Sequence, residues 1–162
     1  VFGVSTWLTN YLHAYANDKN QFKRFVNYAG IFDFVDVTAV FMVKKQHALT
    51  RTKYVTDHIV QTKLQSLDSD KFHSQVWDEP ELFEMFNPRR QVQNMKSPTL
   101  VIHGENDSRV SVTESLALFT ALQRMGVPSQ LLVFKGEGHW LENYSNWQQM
   151  YETVFAFLKK YL

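Results

Sequence analysis

The sequence predicts an α/β fold, a mostly parallel sheet flanked by helices, on three observations. The last third of the 162-residue chain alternates strand, helix, strand and helix signals. The connections between them are short, which makes the strands parallel neighbours joined by a crossover helix. Each strand signal is a continuous apolar run closed by Gly, as suits a strand covered on both faces.

In chain order, "WLTNYLHAYAN" (7–17) puts Trp7, Leu8, Tyr11, Leu12 and Tyr15 on one helical stripe. "FVNYA" (25–29), closed by Gly30, reads as a short buried strand. Within residues 36–68, Val55, Ile59, Leu64 and Leu67 fall near helical spacing. "DEPELFEMFNP" predicts a short helix opened by Pro80 and stopped before Pro88. "TLVIHG" (99–104) is a buried strand. Ser111 and Glu114 form a capping box for a helix whose stripe is Leu118, Leu122 and Met125, ended by Gly126 and Pro128. "QLLVFKG" (130–136) is the next buried strand. Ser145 and Gln148 form a second capping box, and Trp147, Met150, Tyr151, Val154, Phe155 and Leu158 mark a terminal helix. Lys159 and Lys160 suit the negative end of its dipole.

Composition narrows the function classes. The apolar fraction is 44%, enough for a real core in one domain (1–162). Lys and Arg total 17 against 16 Asp and Glu, and they are scattered. No basic stripe invites nucleic acid, and no apolar run is long enough for a membrane span. The chain has no cysteine, and its six histidines lack H-x-x-x-H or H-E-x-x-H spacing. No metal and no cofactor are therefore expected. "VFGVSTWLTNYLHAY" has neither a basic n-region nor a small-residue cleavage site, so it does not read as a secretory leader. The compartment stays open, with the cytoplasm favoured.

Chemistry is expected at the carboxyl ends of the strands. There lie "GENDSR" (104–109) and "GEGHW" (136–140), predicted neighbours in space. The first spends three charged residues, Glu105, Asp107 and Arg109, on a single turn. An Asp in a turn commonly closes an Asx-turn, and a His beside Trp is commonly a packed residue. The other reading pairs them. A carboxylate can accept the Nδ1–H of an imidazole, fix its tautomer and stabilise the imidazolium that forms when Nε2 takes a proton from serine. Asp107 precedes His139 by 32 residues, in the order Asp then His found after the nucleophile in α/β-hydrolases. Gly138 is expected to provide the tight turn before His139.

"SPTLVIHGENDSRV", "ESLALFTALQRMGVPSQLLVFKGEGHW" and "ETVFAFLKKYL" resemble the C-terminal part of the prolyl oligopeptidase family of serine peptidases. The nearest branches are the acylaminoacyl-peptidase and dipeptidyl-peptidase-like ones. "WDEPELFEMFNPRRQVQNMKSP" and "RFVNYAGIFDF" extend the likeness, which covers roughly 7–35 and 77–162 and leaves 36–68 as a divergent or inserted segment. The family's first motif is H-G-E-x-D-x-R-V-P, met here by His103 to Val110 with Ser111 in place of Pro. Its second, E-G-H, is met by Glu137, Gly138 and His139. The resemblance implies an α/β-hydrolase fold, Asp107 as triad acid and His139 as triad base. It also implies that Arg109 anchors the loop and that His103 makes a structural hydrogen bond.

The family's nucleophile motif, G-x-S-x-G-G, has no clean counterpart. Alignment on "WLTN" sets Gly3 at the serine and Ser5 and Thr6 at the glycines. A shifted frame makes Ser5 the nucleophile, with Gly3 as first glycine and Trp7 and Leu8 at the last two. Ser5 is thus the candidate nucleophile; it would also serve as cap of the 7–17 helix. The strands before the elbow are expected to be missing. The resemblance implies a serine peptidase acting on short peptides, present as a C-terminal fragment inactive alone and completed by its N-terminal part or an oligomer partner. Alternatives are a non-catalytic α/β module that folds with a partner, and an α/β-hydrolase esterase.

Overall fold

The computed structural model describes residues 2–4, 14, 22–33, 80–85 and 87–161. The chain divides into two compact units, Val1–Asp33 with Asn87–Leu162, and Phe34–Phe86. In the second unit the described element is α1, Pro80–Met85, which opens on Pro80 as its spacing predicts. The predicted helical stripe within 36–68 lies outside the described residues. Of the 7–17 helix only Ala14 is described, helical and fully buried.

Among the described residues, the first unit holds a four-stranded parallel sheet in the order β1 (Phe2–Val4), β2 (Phe25–Tyr28), β3 (Thr99–Gly104) and β4 (Ser129–Phe134). A short 3-10 stretch, Pro88–Asn94, precedes β3. Helix α2, Val112–Arg124, joins β3 to β4, and α3, Tyr144–Lys160, follows. No helix among the described residues is long and apolar enough to cross a membrane.

Strand periodicity places the core. On β3, Leu100 and Ile102 join Val26, Tyr28, Met150, Val154 and Phe157, so one face packs on α3. The alternate residue Val101 packs with Met95, Leu118 and Leu122 on the α2 side. Leu118 and Leu122 of the α2 stripe and Met150 and Val154 of the α3 stripe supply these contacts as their spacing predicts, whereas Met125, Tyr151 and Phe155 of those stripes are exposed and Phe157 is buried instead.

Three expectations are corrected, and two features were not foreseen. Strand β1 was not foreseen; three residues are too few to show a period, and β1 forms by pairing Phe2–Val4 with Val26–Tyr28. Strand β4 is only partly buried, because it is the outer strand of the described sheet and Val133 faces outward at 39% exposure. Helix α3 is capped by Asn143, two residues before Ser145: Asn143 Oδ1 accepts from Ser145 N at 3.0 Å, while Gln148 pairs with Glu152. The left-handed residue after β2 is Ala29, φ 47°, and Gly30 is needed for space instead. A Cβ there would meet Asn27 Oδ1 at 2.3 Å, the atom that accepts the Gly30 N–H. The tight turn before His139 falls at Gly136, φ 77°, not at Gly138.

Candidate active site

The parallel register brings the carboxyl ends of β3 and β4 level, with Gly104 opposite Phe134. The loops that follow are laced together. Glu105 N donates to Phe134 O at 3.0 Å, and Asn106 N to Glu137 O at 2.8 Å. Glu105 Oε2 accepts the Gly136 N–H at 3.1 Å, which is the structural use of the first charge in the turn. Gly104 permits the approach: a Cβ there would lie 2.0 Å from Gly138 O.

This lacing sets Asp107 against His139. His139 Nδ1 lies 2.6 Å from Asp107 Oδ2, and both side chains are almost wholly buried. The carboxylate can only accept, so His139 carries its hydrogen on Nδ1. That leaves Nε2 with a lone pair and no partner among the described residues. The other carboxylate oxygen closes the turn, with Oδ1 accepting Arg109 N at 2.7 Å and Val110 N at 3.0 Å. The two readings of an Asp in this turn hold together, one on each oxygen.

The third charged residue of the turn acts differently from expectation. Arg109 contributes its main-chain N–H; its exposed guanidinium has no hydrogen bond or ion pair among the described residues. His103 is fully buried and hydrogen-bonded as the resemblance implies: Nδ1 to Ser115 Oγ at 2.7 Å and Nε2 to Val110 O at 3.0 Å. Its Nε2 also lies 3.2 Å from Asp107 Oδ2.

Burial works against the charge on Asp107. The hydrogen bonds from His103, His139, Val110 and Arg109 outweigh it and hold the carboxyl well below the usual carboxylate range. Asp107 is therefore an anion wherever His139 could act as a base. Tyr28, at the end of β2, donates its hydroxyl to His139 O at 3.1 Å. Burial first, then the charges of Asp107 and Glu137, push its phenol up to about 12, so it stays a donor. Trp140 stacks on Tyr28 at 6.3 Å between centroids and meets the His139 ring edge-on at 5.3 Å.

Glu137 ties this loop to α3. Its carboxylate accepts Glu142 N at 2.7 Å, Asn143 N at 3.1 Å and the Asn146 side-chain amide. These bonds, that from Glu142 N first, hold the Glu137 carboxyl below its ordinary range. Sequence reasoning passed over Glu137 and Ser115 as site residues. Glu137 had a legible signal, a carboxylate just ahead of a helix start; Ser115 had none.

Ser5, the candidate nucleophile, lies outside the described residues. The strand before it, β1, ends at Val4 on the same sheet as Tyr28. No group of three or more His, Asp or Glu among the described residues could hold a metal ion.

The prolyl oligopeptidase family model matches residues 7–162. The dipeptidyl-peptidase 5 of Aspergillus oryzae is 34% identical over 110 residues, 67% of this chain and 15% of that protein. The dipeptidyl-peptidase 4 of Giardia intestinalis is 33% identical over 128 residues, 72% of this chain and 17% of its own length. The chain thus spans less than a fifth of these relatives. Among solved structures, a puromycin-hydrolyzing peptidase of Mycobacterium tuberculosis has a TM-score of 0.76 at 20% identity, covering 99% of this chain and 21% of that one. The acylaminoacyl peptidase of Pyrococcus horikoshii has a TM-score of 0.74 at 16% identity, covering 100% and 23%. At those identities the likeness is one of fold, and the fold is that of α/β-hydrolase peptidases.

Proposed function

The chain belongs to the prolyl oligopeptidase family, and on that premise we propose that it is the C-terminal part of a serine peptidase catalytic domain acting on short peptides. The observation that carries this reading is the 2.6 Å contact of His139 Nδ1 with Asp107 Oδ2, which leaves Nε2 free for a serine hydroxyl. In the proposed reaction the serine oxygen attacks the peptide carbonyl as its proton passes to His139 Nε2. Asp107 steadies the imidazolium. His139 then gives that proton to the leaving amine, and water cleaves the acyl-enzyme by the same route. Ser5 is the proposed nucleophile, supported by its position one residue beyond β1. Trp7 and Leu8 stand where the family's last two glycines would relieve crowding.

The test is cleavage of a chromogenic dipeptidyl amide by the full-length polypeptide that carries this segment. His139→Ala and Asp107→Asn should each lower kcat by roughly 10³-fold or more. Activity within about tenfold of the parent in both variants would overturn the reading.

A second reading, a non-catalytic module that folds with a partner or as an oligomer, is favoured by the outer face of α3. Trp147, Tyr151 and Phe155 stack in a row there, with Phe155 66% exposed. Sedimentation of this chain as a monomer would remove its support.

A further inference from the structure

His103 stands where the sheet calls for an apolar residue. On β3 the side chains alternate, and Val101, two residues earlier on the same face, packs against Leu118 and Leu122 of α2. At the next position on that face an imidazole is wholly buried instead. A buried polar group needs partners, and both ring nitrogens have them.

Those partners fix the tautomer. Val110 O can only accept, so Nε2 carries the hydrogen. The Ser115 hydroxyl has no other acceptor among the described residues, so it donates to Nδ1. The Nε2–H therefore points at Val110 O and, at 3.2 Å, at Asp107 Oδ2. Oδ2 takes the hydrogen of the His139 imidazole and has the His103 Nε2 beside it at 3.2 Å, and Oδ1 takes hydrogens from two main-chain amides. These donors among the described residues hold the carboxylate in one rotational setting, with Oδ2 facing His139.

We propose that His103, oriented by the Ser115 hydroxyl, is a positioning residue that holds the Asp107 carboxylate in register with His139. Ser115, His103, Asp107 and His139 form one continuous hydrogen-bonded chain running from inside α2 to the open Nε2. The inference rests on the Asp107–His139 pair as the acid and base of the proposed reaction.

The experiment is histidine ¹⁵N and low-field ¹H NMR of this chain, compared with His103→Gln, His103→Phe and Ser115→Ala. In the parent chain His103 should carry its proton on Nε2, and His139 should show a low-field Nδ1 proton that disappears only on strong acidification. Tyr28 and Glu137 also face this loop, and all the variants leave them intact. His103→Phe fills the space without a donor and should raise the acid midpoint of that loss by roughly one pH unit. His103→Gln returns an N–H near the Nε2 position and should restore most of the shift. Ser115→Ala removes only the donor to Nδ1; Val110 O and Asp107 still hold the hydrogen on Nε2, so His103 should stay protonated there and the midpoint should rise by less than in His103→Phe.

A parent His103 protonated on Nδ1, or an acid midpoint that neither His103→Phe nor Ser115→Ala moves, overturns the proposal and leaves the Asp107–His139 pair standing. A folded parent chain with no low-field His139 proton overturns the pair itself, and this inference with it. Should His103→Phe fail to fold, Ser115→Ala decides by the same two readouts.

Discussion

The main chain of Gly104 and the carbonyl of Gly138 are so close that a Cβ on Gly104 would sit 2.0 Å from the Gly138 oxygen and 2.7 Å from that of Glu137. Neither obstacle is a flexible side chain. Gly104→Ala should therefore force the two loops apart and destabilise the fold by about 1–3 kcal/mol, the usual range for overpacking. Urea denaturation measures the loss. The same variant should weaken the low-field His139 proton, because the displaced loops carry its two partners.

Asp107→Asn should show a stability deficit that depends on pH. The Asp107 carboxyl is held below its ordinary range in the folded chain. Its contribution is then fully present above the unfolded value, about 3.9, and is lost as pH falls toward the folded one. The gap in urea midpoint between parent and variant should be constant near neutrality and shrink below about pH 4. A gap that widened on acidification would contradict the assigned hydrogen bonds.

Much of this could be read from the sequence, and the failures have physical causes. Strand β3 and helix α2 were legible because a six-residue apolar run and a Ser111 cap are local signals. The Glu114 half of the capping box was read too locally: its Oε2 accepts Phe32 N at 2.9 Å and Asp33 N at 2.7 Å, partners some 80 residues away. The start of α3 was misplaced because Asn143 and Ser145 are both competent caps, and only the fold, through Glu137, selects the first. The Asp107–His139 pair was expected from order and spacing; the buried His103–Ser115 link depends on how α2 lies on β3, which no spacing reveals.

Glu114→Ala should be among the more damaging substitutions away from the site. It strips the acceptor from two buried main-chain N–H groups in the loop after β2, at about 1–3 kcal/mol each. Glu114→Gln keeps one side-chain oxygen and should lose less. Chemical denaturation of the two variants side by side checks the order.

Asn143→Ala should lower stability by about 1 kcal/mol through loss of the α3 cap. Ser145→Ala should change it by less, since its hydroxyl only donates to Asn143 Oδ1 at 2.8 Å. The reverse order in thermal melts would restore Ser145 as the cap.

The lacing of the two loops has a kinetic reading as well. The Asn106, Gly136 and Glu105 amides are all held across the gap between the β3 and β4 loops, by Glu137 O, the Glu105 carboxylate and Phe134 O respectively. The Glu105 and Asn106 amides cannot exchange by a local opening of one that leaves the other shut, because both bonds join the same two backbone segments, whereas the Gly136 amide is freed by rotation of the exposed Glu105 side chain alone. The first two should therefore have matching protection factors that exceed that of Gly136. The time Asp107 and His139 spend apart is then the lifetime of a single cooperative opening, which deuterium uptake at the Glu105 and Asn106 amides reports without any substrate.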